Sequence, residues 1–452
     1  METCLRVTFL KSAGVLIEGN GARLLCDPWL LDGAYYGSWA HAPPCDVTPE
    51  EIGALSGIYI SHIHPDHLHA ESLTRFPRGT PVYIHRYAWR HLAEYIESLG
   101  FIPTEVANAE SVDLGGLSLT IYAADNCDPS LCGRVFGCDA RVGAERPGSV
   151  QIDSLAVVSD GKRSIVNVND CPFALARPAA DAILARFGAP DFLLTNYVGA
   201  GPYPQCFANL TSEEKADRAA EKREQFLFQA QGYIKLFRPK AFMPFAGTYT
   251  LAGHLVPLNR YRGTPALEDA AELLGNRCPQ SQCVYLTTRQ TYDLETGQIE
   301  GDPEVWTVAH QYAYEHAVLA KRVLDYEREP MHSDLLPMLT EAARRFRQRC
   351  HDVGFRTPTK IYVQNALSDP DSCFLLPTNG GTPRQVSGKR ARDGSHLIVS
   401  ADSRLLKWLL EGPEGPHRAH WEEASIGSHI TFERDPDVYE RGLYFCLNDL
   451  HI

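Results

Sequence analysis

Four side chains that commonly bind metal ions fall within one run of six residues: His62, His64, Asp66 and His67. The first two are two residues apart and directly follow an apolar stretch at residues 57–61. Because side chains two apart leave a strand on the same side, we expect both imidazoles to face one space. Imidazole suits zinc or iron, and a carboxylate suits a second, harder metal position. The run therefore predicts a metal site at the end of a strand.

A dinuclear site needs more ligands than this run supplies, and later strand ends are where we expect them. Asp170 ends a predicted strand at residues 165–168, where its carboxylate could bridge two metals. Its alternative role is to cap a turn. His254 follows a predicted strand at residues 241–245 by one loop and could supply a final imidazole, or lie in a surface loop.

The strand predicted at residues 117–123 leads to one more ligand position. Asp125 ends this strand, and Asp128 and Asp153 are its competitors for that position. Asp27 follows an earlier strand and either orients a ligand histidine through a hydrogen bond or caps a turn. The residues expected to support the ligands or to wall a substrate pocket are Asp27, Trp29, Tyr36, Trp39, Asp153 and Tyr197.

The elements that position these residues alternate between strands and helices. Three strand patterns occupy the first 26 residues, and the last two are joined by an Asn20-Gly21 turn signal. Near residue 300 the pattern changes to helices followed by strands. We therefore expect an α/β fold with two sheets and outer helices over residues 1–300. Residues 301–452 are predicted to form a smaller α+β cap or accessory domain.

Composition restricts the classes of function. The 452 residues carry a net charge of −13, which argues against non-specific binding to nucleic acid or anionic membranes. No apolar run approaches the roughly 18 residues of a membrane span, and no signal peptide is visible at the start. The 13 cysteines form no small-domain disulfide framework. These features predict a cytoplasmic protein that acts on a small molecule.

The sequence resembles the metallo-β-lactamase superfamily. The resemblance rests on the run from His62 to His67, on Asp27-Pro28-Trp29 before it and on Asn169-Asp170-Cys171 after it. The stretches around these motifs resemble one branch of the superfamily, which contains UlaG-type lactonases, N-acylphosphatidylethanolamine phospholipase D and CMP-N-acetylneuraminate hydroxylase. Within this branch, the resemblance is to the hydroxylase in particular. The resemblance implies an αββα sandwich with an additional C-terminal α+β region and a site for two metal ions.

Two departures from the family pattern bear on the chemistry. Zinc hydrolases of the superfamily usually carry a third histidine near residues 117–125, where Asp125 is the best match in this sequence. An added carboxylate makes the site richer in oxygen, which favours iron over zinc. The sialic-acid hydroxylase also has Rieske ligands of the form Cys-x-His, and none of the 13 cysteines of this chain stands two residues before a histidine. An oxygenase of this kind would take electrons from a separate ferredoxin, Rieske-type protein or other reductase.

The resemblance favours a non-haem diiron, dioxygen-dependent monooxygenase, either a hydroxylase or an N-oxygenase, acting on a small polar metabolite. Asp66 and Asp170 are its candidate catalytic residues. The candidate ligands of the two metal ions are His62, His64, Asp66, His67, Asp125, Asp170 and His254. The alternative is a zinc- or manganese-dependent hydrolase of an ester, amide, lactone or phosphodiester, in which the same ligands activate a bridging water. A binding protein built on an inactive site is a third hypothesis.

Overall fold

A short antiparallel meander opens the chain, as the sequence predicts. The computed structural model describes residues 4–124, 153–331, 334–366, 372–378 and 380–452. In the second hairpin, Gly19 pairs with Ala22 across a two-residue turn. Asn20 and Gly21 both have positive φ, 48° and 84°, which is the conformation that a tight hairpin turn requires and that Asn-Gly adopts readily.

Strands and helices are interspersed along the whole of the described chain. The strands are β1 (Arg6–Lys11), β2 (Gly14–Gly19), β3 (Ala22–Cys26), β4 (Trp39–His41), β5 (Gly57–Tyr59), β6 (Val82–His85), β7 (Pro103–Val106), β8 (Ser111–Asp113), β9 (Ser118–Ala123), β10 (Ser154–Ser159), β11 (Ser164–Asn167), β12 (Phe192–Asn196), β13 (Ala241–Phe245), β14 (Tyr249–Leu251), β15 (Gln282–Cys283), β16 (Thr291–Asp293), β17 (Ile299–Glu300), β18 (Lys360–Asn365), β19 (Ser372–Leu376), β20 (Arg384–Ser387), β21 (His396–Ala401) and β22 (Thr431–Asp435). The α-helices are α1 (Pro49–Ile52), α2 (Ala70–Leu73), α3 (His91–Ser98), α4 (Phe173–Phe187), α5 (Ser212–Phe237), α6 (Leu267–Arg277), α7 (Val308–Ala317), α8 (Leu336–Asp352), α9 (Gly388–Ala391), α10 (Ser403–Glu411), α11 (Trp421–Ile426) and α12 (Arg441–Leu447). Segments of 3₁₀-helix lie at Gly253–Tyr261, Leu319–Lys321 and Asp325–Arg328.

Two sheets form the first part of the fold. One has the strand order β17-β16-β1-β2-β3-β5-β6-β7, and the other has the order β15-β13-β12-β11-β10-β9-β8. Their inner faces bury Val7, Val15 and Leu24 from the first sheet against a shared apolar core that includes Val157 and Leu193 from the second. Removing these faces from water is what holds the two sheets together.

Helices cover the outer face of each sheet, which completes the predicted αββα sandwich. On the first sheet, Leu92 and Ile96 of α3 belong to a separate apolar cluster with Leu16 and Leu25 of the strands. On the second sheet, α4, α5 and α6 cover strands that are buried on both faces. Strands covered in this way often read as apolar runs, and β12 begins with Phe192, Leu193 and Leu194 and is buried along its whole length.

The longest helix, α5, begins at a capping motif in its sequence. Thr211 and Glu214 form a reciprocal capping box, in which each side chain accepts a hydrogen bond from the other residue's backbone. Arg238 ends the helix in the left-handed conformation just before Pro239. The helix buries Ala230 and Ile234 against the second sheet, so the apolar stripe in its sequence is core.

The C-terminal region has its own sheet, of order β20-β19-β18-β21-β22, covered by α8, α10 and α12. It docks on the sandwich through Phe207 and Phe432, whose backbones form a parallel bridge and whose rings stack 5.3 Å apart. The division of the chain at residue 300 stays a prediction. Within the described residues, every helix is too short or too polar to cross a membrane.

Candidate metal centre

The ends of strands from both sheets meet at one edge of the sandwich. β3 and β5 are parallel neighbours, so Asp27 and the residues after Tyr59 emerge side by side. Ser154, the first residue of β10 in the other sheet, donates a 2.8 Å hydrogen bond from its hydroxyl to the carbonyl of Ser61. This bond brings the metal-binding run on one sheet against Asp153 and Asp170 on the other.

One group of ligand atoms surrounds His67. His62, His67 and Asp170 each offer an atom that lies within 4.8 Å of the other two. Nε2 of His67 is 3.4 Å from Oδ2 of Asp170 and 3.6 Å from Oδ2 of Asp66. Ligand atoms that share one ion about 2 Å away are themselves separated by about 3 Å, so these spacings suit a metal.

A second group surrounds the other face of His62. Its Nε2 lies 2.9 Å from Nδ1 of His64 and 3.7 Å from Oδ1 of Asp153. Asp153, a competitor of Asp125 in the sequence, therefore stands beside the histidine pair. Asp125 and Asp128 lie outside the described residues, so the choice of Asp125 as a ligand stays a prediction.

Hydrogen bonding at His67 fits a metal ligand. Nδ1 of His67 is 2.8 Å from Oδ2 of Asp27, while its buried Nε2 has no hydrogen-bond partner among the described residues. A proton on Nδ1 held by Asp27 leaves the Nε2 lone pair free for a cation. Asp27 also accepts hydrogen bonds from the backbone N–H and the hydroxyl of Ser61, at 2.8 and 2.7 Å. Asp27 thus lies where the predicted orienting carboxylate is needed.

The charges of the ligand cluster are arranged for a cation. Burial, helped by the neighbouring His67 and His64, lowers the pKa of His62 well below its usual value and keeps it neutral. Burial opposes charge on Asp170, but His67 and other neighbours lower the pKa of its carboxyl. Burial also opposes charge on His67, yet the carboxylates around it raise its pKa. A metal would therefore displace a proton from His67 as it binds.

Tyr35, which the sequence places with Tyr36 and Trp39 in an aromatic loop expected to wall the pocket, holds Asp66. The hydroxyl of Tyr35 donates a 2.6 Å hydrogen bond to Oδ1 of Asp66, and Tyr35 is buried. Tyr35 and Tyr36 both have positive φ, 54° and 55°, which is uncommon for aromatic residues. This backbone turns the two rings in different directions from one short loop, as strained segments at functional sites often do.

Tyr36 connects the centre to the C-terminal region. Its hydroxyl donates to Glu423 at 2.9 Å and accepts a hydrogen bond from the backbone N–H of His420 at 2.8 Å. Its ring also lies 5.7 Å from that of His429. Helix α11, which carries Glu423, therefore packs on the loop that holds Asp66. The sequence predicts Tyr36 in a pocket wall. In the structure, its hydroxyl links the loop at residues 35–36 to the C-terminal region.

An aromatic wall stands beside the centre. Trp39 stacks on Tyr249 with ring centroids 3.6 Å apart, and it lies 4.5 Å from the ring of Tyr35. Tyr197 is fully buried, and its hydroxyl has no hydrogen-bond partner among the described residues. Trp29 is also fully buried and donates its indole N–H to the carbonyl of Leu31. Trp39 therefore stands in the predicted wall, whereas Trp29 packs inside the fold.

The structure does not bring His254 to the ligands. Its ring is 56% exposed and lies 3.1 Å from Glu327 on the surface. The expectation of a final imidazole fails geometrically because β14 pairs with β4 and the chain then enters the 3₁₀ segment that starts at Gly253. This route turns His254 toward the C-terminal region and solvent.

Two asparagines support this edge of the second sheet. The side-chain amide of Asn196, which the sequence does not single out, donates to Oδ1 of Asp170 at 3.2 Å. The amide of Asn169, which precedes Asp170 in the family-like stretch, donates to the carbonyl of Ser154 at 2.9 Å. Asn196 thus contacts a candidate ligand directly, whereas Asn169 ties the end of β11 to the start of β10.

Comparison with known proteins gives the same fold. Residues 22–203 match the family described as Beta-lactamase superfamily domain. The chain therefore contains a beta-lactamase superfamily domain, and the αββα sandwich and the resemblance indicated by the sequence are confirmed. The fold and the family match are those of the metallo-β-lactamase fold, and the side chains that converge at its edge could hold a metal ion.

Relatives with curated descriptions are similar over part of their length. A protein of Mycobacterium tuberculosis with the provisional description Rieske 2Fe-2S iron-sulfur protein is 30% identical over 270 residues, which are 58% of this chain and 48% of that protein. The cytidine monophosphate-N-acetylneuraminic acid hydroxylase of Xenopus laevis is 26% identical over 317 residues, 67% of this chain and 49% of that protein. The chain spans about half the length of the curated relatives it matches.

Solved structures of both reaction types are similar to this chain. CmlA, a diiron beta-hydroxylase from Streptomyces venezuelae, aligns with a TM-score of 0.43 and 16% identity over 64% of this chain and 54% of that chain. An isothiocyanate hydrolase from Delia radicum gut bacteria aligns with a TM-score of 0.41 and 14% identity over 66% of this chain and 99% of that chain.

Proposed function

We propose that this chain is a non-haem diiron monooxygenase that uses dioxygen to hydroxylate or N-oxygenate a small polar metabolite. The observation that carries the proposal is the place of Asp153 beside His62 and His64. With Asp66 and Asp170, it makes the donor set half carboxylate. Oxygen-rich sites of mixed imidazole and carboxylate favour iron over zinc.

The curated relatives support the same choice. Proteins described as cytidine monophosphate-N-acetylneuraminic acid hydroxylases match two thirds of the chain. Others carry a Rieske description, which indicates electron transfer near this kind of domain. Because no cysteine of this chain stands two residues before a histidine, we place the electron donor outside these 452 residues, as a ferredoxin, a Rieske-type protein or another reductase.

When bound, a pair of irons would supply the binding and reduction of dioxygen. The protein's own part is to fix the ligands and to exclude water. Asp27 holds His67 in one tautomer, and Tyr35 holds one oxygen of Asp66. Asp66 and Asp170 are the proposed catalytic carboxylates, because both lie at the ligand cluster where a proton could be held. The wall formed by Trp39 and Tyr249 shields the cluster on one side.

Free thiols are consistent with a cytoplasmic setting for this reaction. Buried cysteines such as Cys26, Cys206 and Cys278 are present as thiols. Disulfides are rare in reducing compartments, and iron enzymes that need an electron donor work where reductases are present.

A zinc or manganese hydrolase is the second candidate, because the same ligand cluster could lower the pKa of a bound water and polarise an ester, amide, lactone or phosphodiester. The hydrolase is supported by the three histidines in the run from His62 to His67. The two candidates differ in their need for dioxygen and electrons.

The test compares metal content and oxygen consumption in the same preparation. Protein expressed in iron-supplemented medium is analysed for iron, zinc and manganese, reduced with dithionite under nitrogen, and mixed with oxygenated buffer. We expect about two irons per chain and oxygen uptake that is absent from Asp170→Ala. Zinc-loaded protein that turns over a 4-nitrophenyl ester or a bis-phosphodiester under nitrogen would overturn the oxygenase and support the hydrolase.

A further inference from the structure

A small, partly open polar cavity adjoins the aromatic rings that stand beside the metal centre. Its walls include Trp39, Gln205, Lys222, Tyr249 and Arg262. Trp39 and Tyr249 are the same stacked rings that stand beside the ligands. Burial raises the pKa of Tyr249, and the negative charges of Asp66 and Asp170 raise it further, so Tyr249 lies near the cluster as well as beside the cavity. We name this space the cation pocket, after Lys222 and Arg262.

The two cations of the pocket are held by neutral groups. Nζ of Lys222 donates to the carbonyls of Tyr203 at 3.0 Å and Gly201 at 3.5 Å. Arg262 is buried and donates from Nη1 to the carbonyl of Tyr249 at 2.8 Å, with its guanidinium 4.1 Å from that ring. Nη1 of Arg262 also donates to Oδ1 of Asn259 at 3.3 Å, so the acceptors that contact the two cations in the described part of the chain are uncharged.

Such an arrangement is costly without an anion. Enclosed positive charges lose their hydration, and carbonyl oxygens replace only part of it. The cost is visible at Lys222, where burial and the charge of Arg262 lower the pKa to about 7. An oxyanion between the two side chains would restore the missing interaction, because charge-assisted hydrogen bonds are about twice as strong as neutral ones.

Buried donors without acceptors point to the same ligand. In the described residues, Nε of Arg262 and Nε1 of Trp39 have no hydrogen-bond partner, although both residues are buried. Buried N–H groups are nearly always paired, so two unpaired donors in the wall of one cavity indicate a missing acceptor. A carboxylate or phosphate has oxygens for the guanidinium, the indole and the ammonium at once.

We propose that the cation pocket binds a carboxylate or phosphate group of the substrate, so that the small polar substrate is an anion held by its charged end beside the metal centre. The proposal rests on the proposed function only in calling this ligand the substrate. Tyr249 borders the pocket and is close enough to Asp66 and Asp170 to be influenced by their charges, so a short molecule held in the pocket would lie near the ligand cluster. An acidic chain with a net charge of −13 would otherwise repel such a ligand, so a local cationic site is needed.

Anion binding through Lys222 has a distinct dependence on pH. The groups that face its ammonium are Arg262, the thiol of Cys206, whose pKa burial raises to about 12, and Tyr249, whose pKa burial also raises. The thiol of Cys206 and the phenol of Tyr249 therefore stay neutral between pH 6 and 9. Lys222 is charged below pH 7 and increasingly neutral above it, so an anion that binds at pH 8 draws a proton onto Lys222. The binding enthalpy at pH 8 should then vary with the ionisation enthalpy of the buffer.

The test titrates metal-loaded protein with acetate and, separately, with inorganic phosphate, against chloride of equal ionic strength, by isothermal titration calorimetry. We expect one of the two probes to bind with proton uptake, and its affinity to fall about tenfold or more in Lys222→Met. Lys222→Arg should retain most of the affinity. Lys235→Met is the matched control, because Lys235 is an exposed lysine on the same helix, α5.

A second variant guards against loss of structure at Lys222. Trp39→Phe keeps an aromatic ring against Tyr249 and removes only the unpaired indole N–H, so it should weaken the same probe by several-fold without changing metal content. The proposal would be overturned if the wild type, Lys222→Met and Trp39→Phe bound the probe with equal affinity and equal proton uptake. That result would mean that the probe binds at the metals or on the surface.

The two proposals fail in different ways. One outcome is a protein that binds zinc, does not consume dioxygen and still binds the anion through Lys222. This outcome would contradict the proposed oxygenase but support the cation pocket. The opposite outcome is an iron-loaded protein that consumes dioxygen and whose anion binding does not change when Lys222 is replaced. This outcome would contradict only the cation pocket. Comparison of acetate with phosphate then separates a carboxylate substrate from a phosphorylated one.

Discussion

The carboxylate of Asp27 lies 2.8 Å from Nδ1 of His67 and also accepts two hydrogen bonds from Ser61, which precedes the first ligand by one residue. One buried acid thus fixes both the tautomer of a ligand histidine and the backbone that leads into the ligand run. It does so from the end of β3, the parallel neighbour of β5.

We predict that Asp27→Asn lowers metal affinity by about 10- to 100-fold, because an amide cannot hold Nδ1–H of His67 as a carboxylate does. The measurement is metal retention during titration with a chelator. The matched control is Asp32→Asn, since Asp32 also pairs with a buried histidine, His41, at 2.9 Å, but away from the cluster. Equal loss of metal in both variants would mean that Asp27 acts only through folding.

The ligand run is predictable from the sequence because its geometry is local. His62, His64, Asp66 and His67 lie in one strand end and one turn, and the alternation of a strand is enough to group them. The hairpins and the capped helix α5 are predictable for the same reason, since each depends on residues a few positions apart.

The rest of the site depends on pairings between distant strands. Asp153 lies beside His62 because β10 pairs with β9 and packs against the first sheet, which no local pattern specifies. Tyr35, Glu423 and Lys222 come from a loop, a C-terminal helix and α5, and each has an ordinary surface or core explanation in the sequence. The prediction of His254 as a ligand fails for the same reason. The pairing of β4 with β14 changes the direction of the chain just before His254, and no local pattern in the sequence specifies this pairing.

We predict that Asp153→His shifts metal selectivity from iron toward zinc. A third imidazole in place of a carboxylate makes the group around His62 and His64 richer in nitrogen, which suits zinc better. The measurement is the ratio of the two metals after refolding or reloading in an equimolar mixture. Asp160→His, in the exposed turn between β10 and β11, is the control and should leave the ratio unchanged.

Replacement of His254 should leave the bound metal intact. Its ring is mostly exposed and pairs with Glu327, so His254→Ala loses a surface ion pair worth about 0–1 kcal/mol. His64→Ala, in contrast, removes a nitrogen 2.9 Å from that of His62 and should lose at least one metal ion per chain. Metal analysis of the two purified variants checks the contrast. Equal metal loss would return His254 to the ligand set.

Tyr36→Phe should loosen the C-terminal region while leaving the metals in place. The substitution removes the hydroxyl that donates to Glu423 and accepts from His420, and buried hydrogen bonds of this kind contribute about 1–3 kcal/mol when one partner is left unpaired. Chemical denaturation and limited proteolysis measure the effect. Tyr312→Phe is the control, since Tyr312 is exposed on α7. Loss of metal from Tyr36→Phe would show that this contact also holds the ligands.

Acid should weaken the same docking surface through His429. Its Nε2 donates to the carbonyl of Tyr35 at 2.7 Å, and its Nδ1 lies 3.3 Å from the hydroxyl of Tyr326, which can donate only to a neutral ring. Burial, the larger cause, and the charge of His254 lower the pKa of His429 to about 4, although the Tyr35 carbonyl opposes this.

The unfolded chain therefore takes up a proton at His429 as pH falls below about 6.5, while the folded chain does not until about pH 4. Stability from the neutral ring is complete above pH 6.5 and declines as pH falls between these values, by about 2 kcal/mol from pH 7.5 to pH 5. His429→Gln keeps an amide that can donate and accept but cannot titrate. Its free energy of unfolding relative to wild type should thus improve by that amount on acidification. A difference that stays constant from pH 7.5 to pH 5 would mean that His429 is already charged in the folded protein.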